Sequence, residues 1–170
     1  KLYYEVTWEM EELSKGSKHP HVKVKVIGSN KKLVNFVENQ LGDACDSKSA
    51  SAIVIVEDRG FNKIMLSKLK QTLSSDKVER VFCVCRKSCI VSVVDFGHVN
   101  AWGAATWKMM RTLMTEWRGR KEVVLIDIEK WDTGIGERLQ EELEKGGSRE
   151  VAFRSNKRFI PFVKQLNVIK

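Results

Sequence analysis

The stretch Asn100-Ala101-Trp102-Gly103-Ala104-Ala105-Thr106-Trp107-Lys108-Met109-Met110-Arg111 runs on to Trp117, crosses Arg118-Gly119-Arg120-Lys121 and enters Val123-Val124-Leu125-Ile126-Asp127-Ile128. Its reading decides the fold class. Asn100 suits a helix start, because its side-chain oxygen can accept a free amide two or three residues on. Trp102, Ala105, Thr106, Met109, Leu113 and Trp117 recur at helical spacing and predict one apolar face. A glycine inside a helix costs about 1 kcal/mol against alanine, so Gly103 predicts a close approach of this helix to a neighbour. The polar turn then feeds a continuous apolar run, the pattern of a strand buried on both faces. A helix leading through a short turn into such a strand is half of a parallel strand-helix-strand unit.

Working outward, the same alternation of elements continues. Leu2, Tyr4, Val6 and Trp8 alternate with Tyr3, Glu5 and Thr7, the period of a half-buried strand, and residues 9–21 read as a polar loop. A second strand carries Val22, Val24 and Val26, ends at Gly28-Ser29-Asn30, and leads into a helix marked by Leu33, Val34, Val37 and Leu41. Ala52 to Val56 is a buried strand. Phe61, Met65, Leu69 and Leu73 mark a helix that stops at Ser74-Ser75-Asp76. Val81 to Cys85 is a further strand, followed by a turn at Lys87-Ser88 and an apolar piece, Ile90 to Val94. Ile135, Leu139 and Leu143 define the last helix, which Gly146-Gly147 would close as a left-handed cap. Val151 to Arg154 and Arg158 to Val163 form a hairpin turning at Ser155-Asn156. Strands alternating with helices imply a parallel sheet covered on both faces, with right-handed connections.

At 170 residues, 42% hydrophobic and 31% charged, the chain is expected to form one globular domain over residues 1–170. Its apolar runs are far too short for a membrane span, and the opening Lys1-Leu2-Tyr3 reads as no signal peptide but as a segment of a longer polypeptide. Four cysteines make no disulfide framework, so a reducing, cytoplasmic setting is expected. The net charge of +8 invites a nucleic-acid reading, but the cations are scattered. Lys63, Lys68 and Lys70 lie on one helix, Arg118 to Lys121 on a turn, and five more between Arg154 and Lys170. No aromatic-interleaved recognition motif accompanies them, and neither nucleic acid nor membrane is expected as a partner.

Catalytic patterns are missing where this fold class would carry them. The first strand-helix turn holds Gly28 without the further glycines of G-x-G-x-x-G, so no dinucleotide is expected there, and Gly134-x-Gly136 lacks its third glycine. Cys83, Cys85, Cys89 and His98 lack the paired spacing of a zinc site, and a buried strand cysteine behaves as a small hydrophobe. Glu57-Asp58, with Lys87 at a later strand end, is only part of a phospho-acceptor pocket. No tyrosine-x-x-x-lysine pair exists, since Tyr3 and Tyr4 both lie in the first strand. Catalytic, cofactor and metal residues are therefore all expected to be absent.

Several segments together resemble the structural subdomain of the ketoreductase domain in modular polyketide synthases and animal-type fatty acid synthases. Leu2-Tyr3-Tyr4-Glu5-Val6-Thr7-Trp8 is similar to that family's L-Y-x-x-x-W opening strand, and Ala101-Trp102-Gly103 to its A-x-W-G helix. Leu125-Ile126-Asp127-Ile128 is similar to its L-V-D-L strand. Val151-Ala152-Phe153-Arg154-Ser155-Asn156-Lys157-Arg158-Phe159-Ile160-Pro161 follows its V-A-x-R-x-x-R-x-V/I-P signature. The resemblance implies an α/β, truncated Rossmann-like parallel sheet with helices on both faces, and a unit that has lost its nucleotide site. It implies a role supporting an NADPH-dependent β-ketoacyl reductase half that would follow residue 170. The cofactor would be bound by that half, and the acyl carrier protein and other synthase domains would be partners. The alternatives are a scaffold beside an inactive reductase, or a free-standing basic module binding RNA or an anionic partner.

Two further expectations concern the ends. Residues 2–8 and 158–163 are both short, aromatic-bearing alternating strands without another obvious neighbour, so they are expected to pair at one sheet edge. Tyr4, Val6, Trp8, Arg158, Phe159, Pro161 and Phe162 are the expected interface with the catalytic half.

Overall fold

The computed structural model describes residues 3–13, 22–57, 63–91, 95, 97–117 and 120–166. Strands β1 (Tyr3–Met10), β2 (Val24–Gly28), β3 (Ala52–Glu57), β4 (Arg80–Arg86), β5 (Glu122–Ile128), β6 (Glu150–Arg154) and β7 (Lys157–Leu166) form one sheet in the order β1-β7-β6-β5-β4-β3-β2. Helices α1 (Lys31–Leu41), α2 (Lys63–Leu73), α3 (Ala101–Glu116) and α4 (Ile135–Lys145) connect the parallel strands β2 to β6. β1 and β7 pair at one edge, as the sequence predicts, and do so antiparallel; expected to be short, they are the two longest strands of the sheet, because each runs on past the end of the β6–β7 ladder. The expected residues Leu2, Asp58 to Phe61 and Ser92 to Val94 lie outside the described ones.

Alternation along the strands divides the core in two. Val54, Val84 and Ile126 face α1 and α4, whereas Ile55, Cys83 and Leu125 face α2 and α3. β2 to β6 lie in chain order, so every connection steps the same way along the sheet. A helix on one face then makes a crossover of opposite hand to a helix on the other. Two crossovers are of each hand, where the general rule of about 98% right-handed connections predicts a single one. Covering is the physical reason: one hand throughout would put all four helices on one face and leave the other apolar face in water.

Close contacts explain the glycines. A Cβ on Gly103 would lie 2.6 Å from Ser88 Oγ and 2.8 Å from the Arg86 carbonyl oxygen, so α3 does approach β4 as its sequence predicts. Asn100 caps α3, accepting from the Trp102 amide at 3.1 Å. The buried face of α3 is Gly103, Thr106, Trp107 and Met110, while Trp102 is 63% exposed. The expected face is thus rotated by about one residue, because small Gly103, not bulky Trp102, meets the sheet. Gly146 has φ −57° and forms no left-handed cap; a Cβ there would strike the Glu142 carbonyl at 2.5 Å. The positive-φ helix end is Gly42, at φ 51° after α1. Ser155 and Asn156 both have positive φ, the two-residue turn whose twist suits a hairpin.

Candidate functional site

The first strand-helix turn is already satisfied from within. Asn30 Oδ1 accepts from the Lys32 and Leu33 amides at 3.1 and 3.3 Å, and the Ser29 amide donates to Glu57 Oε2 at 3.4 Å. Glu57 is 1% exposed, so a buried carboxylate stands where a phosphate would need positive potential. A Cβ on Gly28 would lie 2.5 Å from the Val56 carbonyl oxygen; the glycine serves strand packing.

At the C-terminal ends of β4, β5 and β6 lies a buried ionic cluster. Asp127 accepts from the Ser88 amide at 2.6 Å and the Cys89 amide at 3.1 Å, and receives Arg154 Nη2 at 2.6 Å. Arg154 Nε reaches Asp95 Oδ1 at 2.9 Å, and its Nη2 also donates to the Cys89 carbonyl. Burial raises the Asp127 carboxyl above its ordinary value, and Arg154 with the two amides limits that rise. Burial works against the Arg154 charge too, but Asp127 and Asp95 outweigh it and hold its pKa above the usual value. The guanidinium is thereby spent on tying Cys89 and Asp95, both in the connection between β4 and α3, to the sheet. Removing one member of such a pair leaves an uncompensated buried charge and costs about 3–5 kcal/mol.

The third feature is the β1–β7 ribbon. β6 pairs with β7 only as far as Phe159, whereas β1 follows β7 to Leu166. Directly opposite residues share a face, so Val6 with Val163, Trp8 with Pro161 and Met10 with Phe159 make one apolar surface. Val6, Met10 and Val163 are each 60% exposed, and Phe162, on the other face, is 47% exposed. The Glu11 amide donates to the Arg158 carbonyl, which sets the alternation of the ladder. Pro161 therefore turns its donorless nitrogen away from β1, toward the side where the ladder to β6 has already stopped at Phe159. Arg158 is the hinge pin of the ribbon: it is 7% exposed, bonds both carboxylate oxygens of buried Glu142 on α4, and pairs with Glu11.

A cavity of about 830 Å³ lies between α2 and α3 over Leu69, Leu73, Leu113 and Trp117. It opens at the N-terminal ends of β4 and β5, opposite to the end where doubly wound sheets bind ligands. No helix among the described residues is long and apolar enough to cross a membrane.

No family model and no curated protein matches the sequence. Among solved structures, the first-module ketoreductase PlmKR1 of phoslactomycin biosynthesis in Streptomyces sp. HK803 aligns over 96% of this chain at TM-score 0.69 and 17% identity. An A-type ketoreductase from a modular polyketide synthase aligns over 94% at TM-score 0.70 and 17% identity. The chain has the fold of part of such a ketoreductase. It spans 38% of the first of those chains and 42% of the second. A multidomain structure with a ketoreductase from a keto acid-selecting NRPS module matches at TM-score 0.58 and 13% identity, with 18% of that chain covered.

Within this ketoreductase-like fold the structure brings the expected interface residues together on the ribbon. Val6 and Phe162 are exposed, Phe159 and Pro161 half-buried, and the Tyr4 backbone pairs with Gln165. Trp8 packs partly against the α2–α3 side of the core, and Arg158 faces inward to α4. Cys83 and Cys85 are buried with their sulfurs 3.8 Å apart, and His98 is exposed. Asp95, Asp127, Glu142 and Arg154 went unread as a set. Their one signal is an acid or arginine at an otherwise apolar position of a strand or helix.

Proposed function

We propose that the chain is the structural, non-catalytic subdomain of a ketoreductase in an acyl-chain-building synthase, and that it shapes the NADPH-dependent reductase half following it. The carrying observation is the match itself: nearly all of this chain aligns, yet it accounts for 38–44% of the ketoreductase chains it matches singly. The satisfied turn at Gly28–Asn30 supports the same reading, because the position where this fold class binds a dinucleotide is occupied by the chain's own groups. In this reading hydride passes from NADPH to a β-keto group in the other half, and the acyl carrier protein delivers the substrate there. The chain contributes rigidity and a docking ribbon, with Tyr4, Val6, Trp8, Phe159 and Pro161 in register on one face and Phe162 on the other, held in place by Arg158. Exposed apolar area of this kind marks an interaction surface.

The test joins this chain to the polypeptide that follows it and measures NADPH oxidation with a β-ketoacyl thioester. Val6→Asp with Phe162→Asp should cut that activity while leaving the melting of the isolated chain unchanged, since both side chains are largely exposed. Unchanged activity in the double variant would refute the docking role. Tight NADPH binding by the isolated chain would refute the non-catalytic assignment.

A further inference from the structure

We propose that the free edge of β2 docks an extended acidic segment of a partner protein, taken up as an additional strand. The proposal stands independently of the ketoreductase reading. β2 ends the sheet. The Ser51 amide reaches the Lys23 carbonyl on the β3 side, whereas Asp46 donates to the Val24 carbonyl from outside at 3.0 Å. Backbone direction alternates along a strand, so Val26 and Gly28 also point N–H and C=O outward. Among the described residues nothing bonds to those four groups. Cys45 makes a single parallel bridge to Val24, so the edge already accepts a strand-like neighbour over one residue and stops there.

The walls of this edge specify the partner. A groove of about 400 Å³ runs along Val26 and Gly28, walled by Lys31 and Asn35 of α1 on one side and Lys68, Gln71 and Thr72 of α2 on the other. Lys25 projects on the α2 side, because Val24 and Val26 turn toward α1. Three cations line the groove, no carboxylate does, and none of the three is in an ion pair among the described residues. Strand addition supplies main-chain hydrogen bonds for affinity and flanking side chains for selectivity. An acidic segment meets both requirements: its backbone pairs with Val26 and Gly28, and its carboxylates reach lysines on either wall.

The probe is a fluorescein-labelled peptide of alternating valine and glutamate, titrated against the chain by fluorescence anisotropy. Saturable binding is expected, weakened about tenfold or more by Lys31→Glu with Lys68→Glu, since attraction becomes like-charge repulsion. Both positions are exposed, and circular dichroism checks that the variant folds. N-methylation of alternate peptide nitrogens should weaken binding comparably, because it removes the ladder donors and keeps the charge. Absence of binding, an unaffected double variant, equal binding of the methylated peptide, or a preference for an oligouridylate over the peptide would each overturn the proposal.

Discussion

Cys89 shows how burial at a single residue becomes a property of the fold. Its thiol pKa is raised above the ordinary 9.0, first by burial and then by the charges of Asp127 and Glu150, with Arg154 and Arg111 opposing. A folded-state pKa above the unfolded one means that the unfolded chain releases the proton first as pH climbs. The stability from this group is complete below about pH 9 and drains away above it, at no more than about 1.4 kcal/mol per pH unit. Melting temperature should therefore fall between about pH 9 and about pH 11, and Cys89→Ala should shallow that fall. An identical slope in the variant would show that other groups carry the dependence. Single residues with local partners were legible in the sequence, as Asn100 was, since the amide that donates to its side chain sits two residues away. The Asp95–Asp127–Arg154 cluster was not, because its members are 27 and 59 positions apart and only the fold brings them together.

Elements were read well wherever one face carried the signal. The pairing of the end strands, the hairpin at Ser155-Asn156 and the buried runs of β3 and β5 all follow from period and turn chemistry. The register of α3 was misread because size was taken as burial, while the helix in fact approaches β4 through Gly103. The same principle joins α1 to α4. A Cβ on Gly136 would lie 2.3 Å from the Gln40 carbonyl oxygen, a backbone atom that has no rotamer to escape with. Gly136→Ala gains about 1 kcal/mol of helix propensity but overpacks a helix crossing, at a cost of about 1–3 kcal/mol. Net destabilisation is expected in a urea titration. A variant as stable as the parent, or more so, would mean that the two helices can separate freely.

At the scale of the whole molecule, hydrophobic patterning gave the fold class, and the hand of the crossovers escaped it, because handedness depends on which face each helix must cover. The strand order also dictates how the molecule comes together. Each parallel strand from β3 to β6 lies against the one made just before it, and β7 turns back on β6 through two residues. Assembly can therefore proceed like a zip, closing one modest loop at a time. β1 is the exception: Tyr3 meets Leu166, so the first strand in the chain must wait for the last. A contact of such sequence separation bears the largest loop-closure entropy in the fold. Hydrogen exchange should find β1 opening while β3, β4 and β5 stay protected, and equal protection across all seven strands would contradict this order. The ribbon is thus the final stitch of folding and the first to loosen, so the edge that faces outward is also the one the chain completes last.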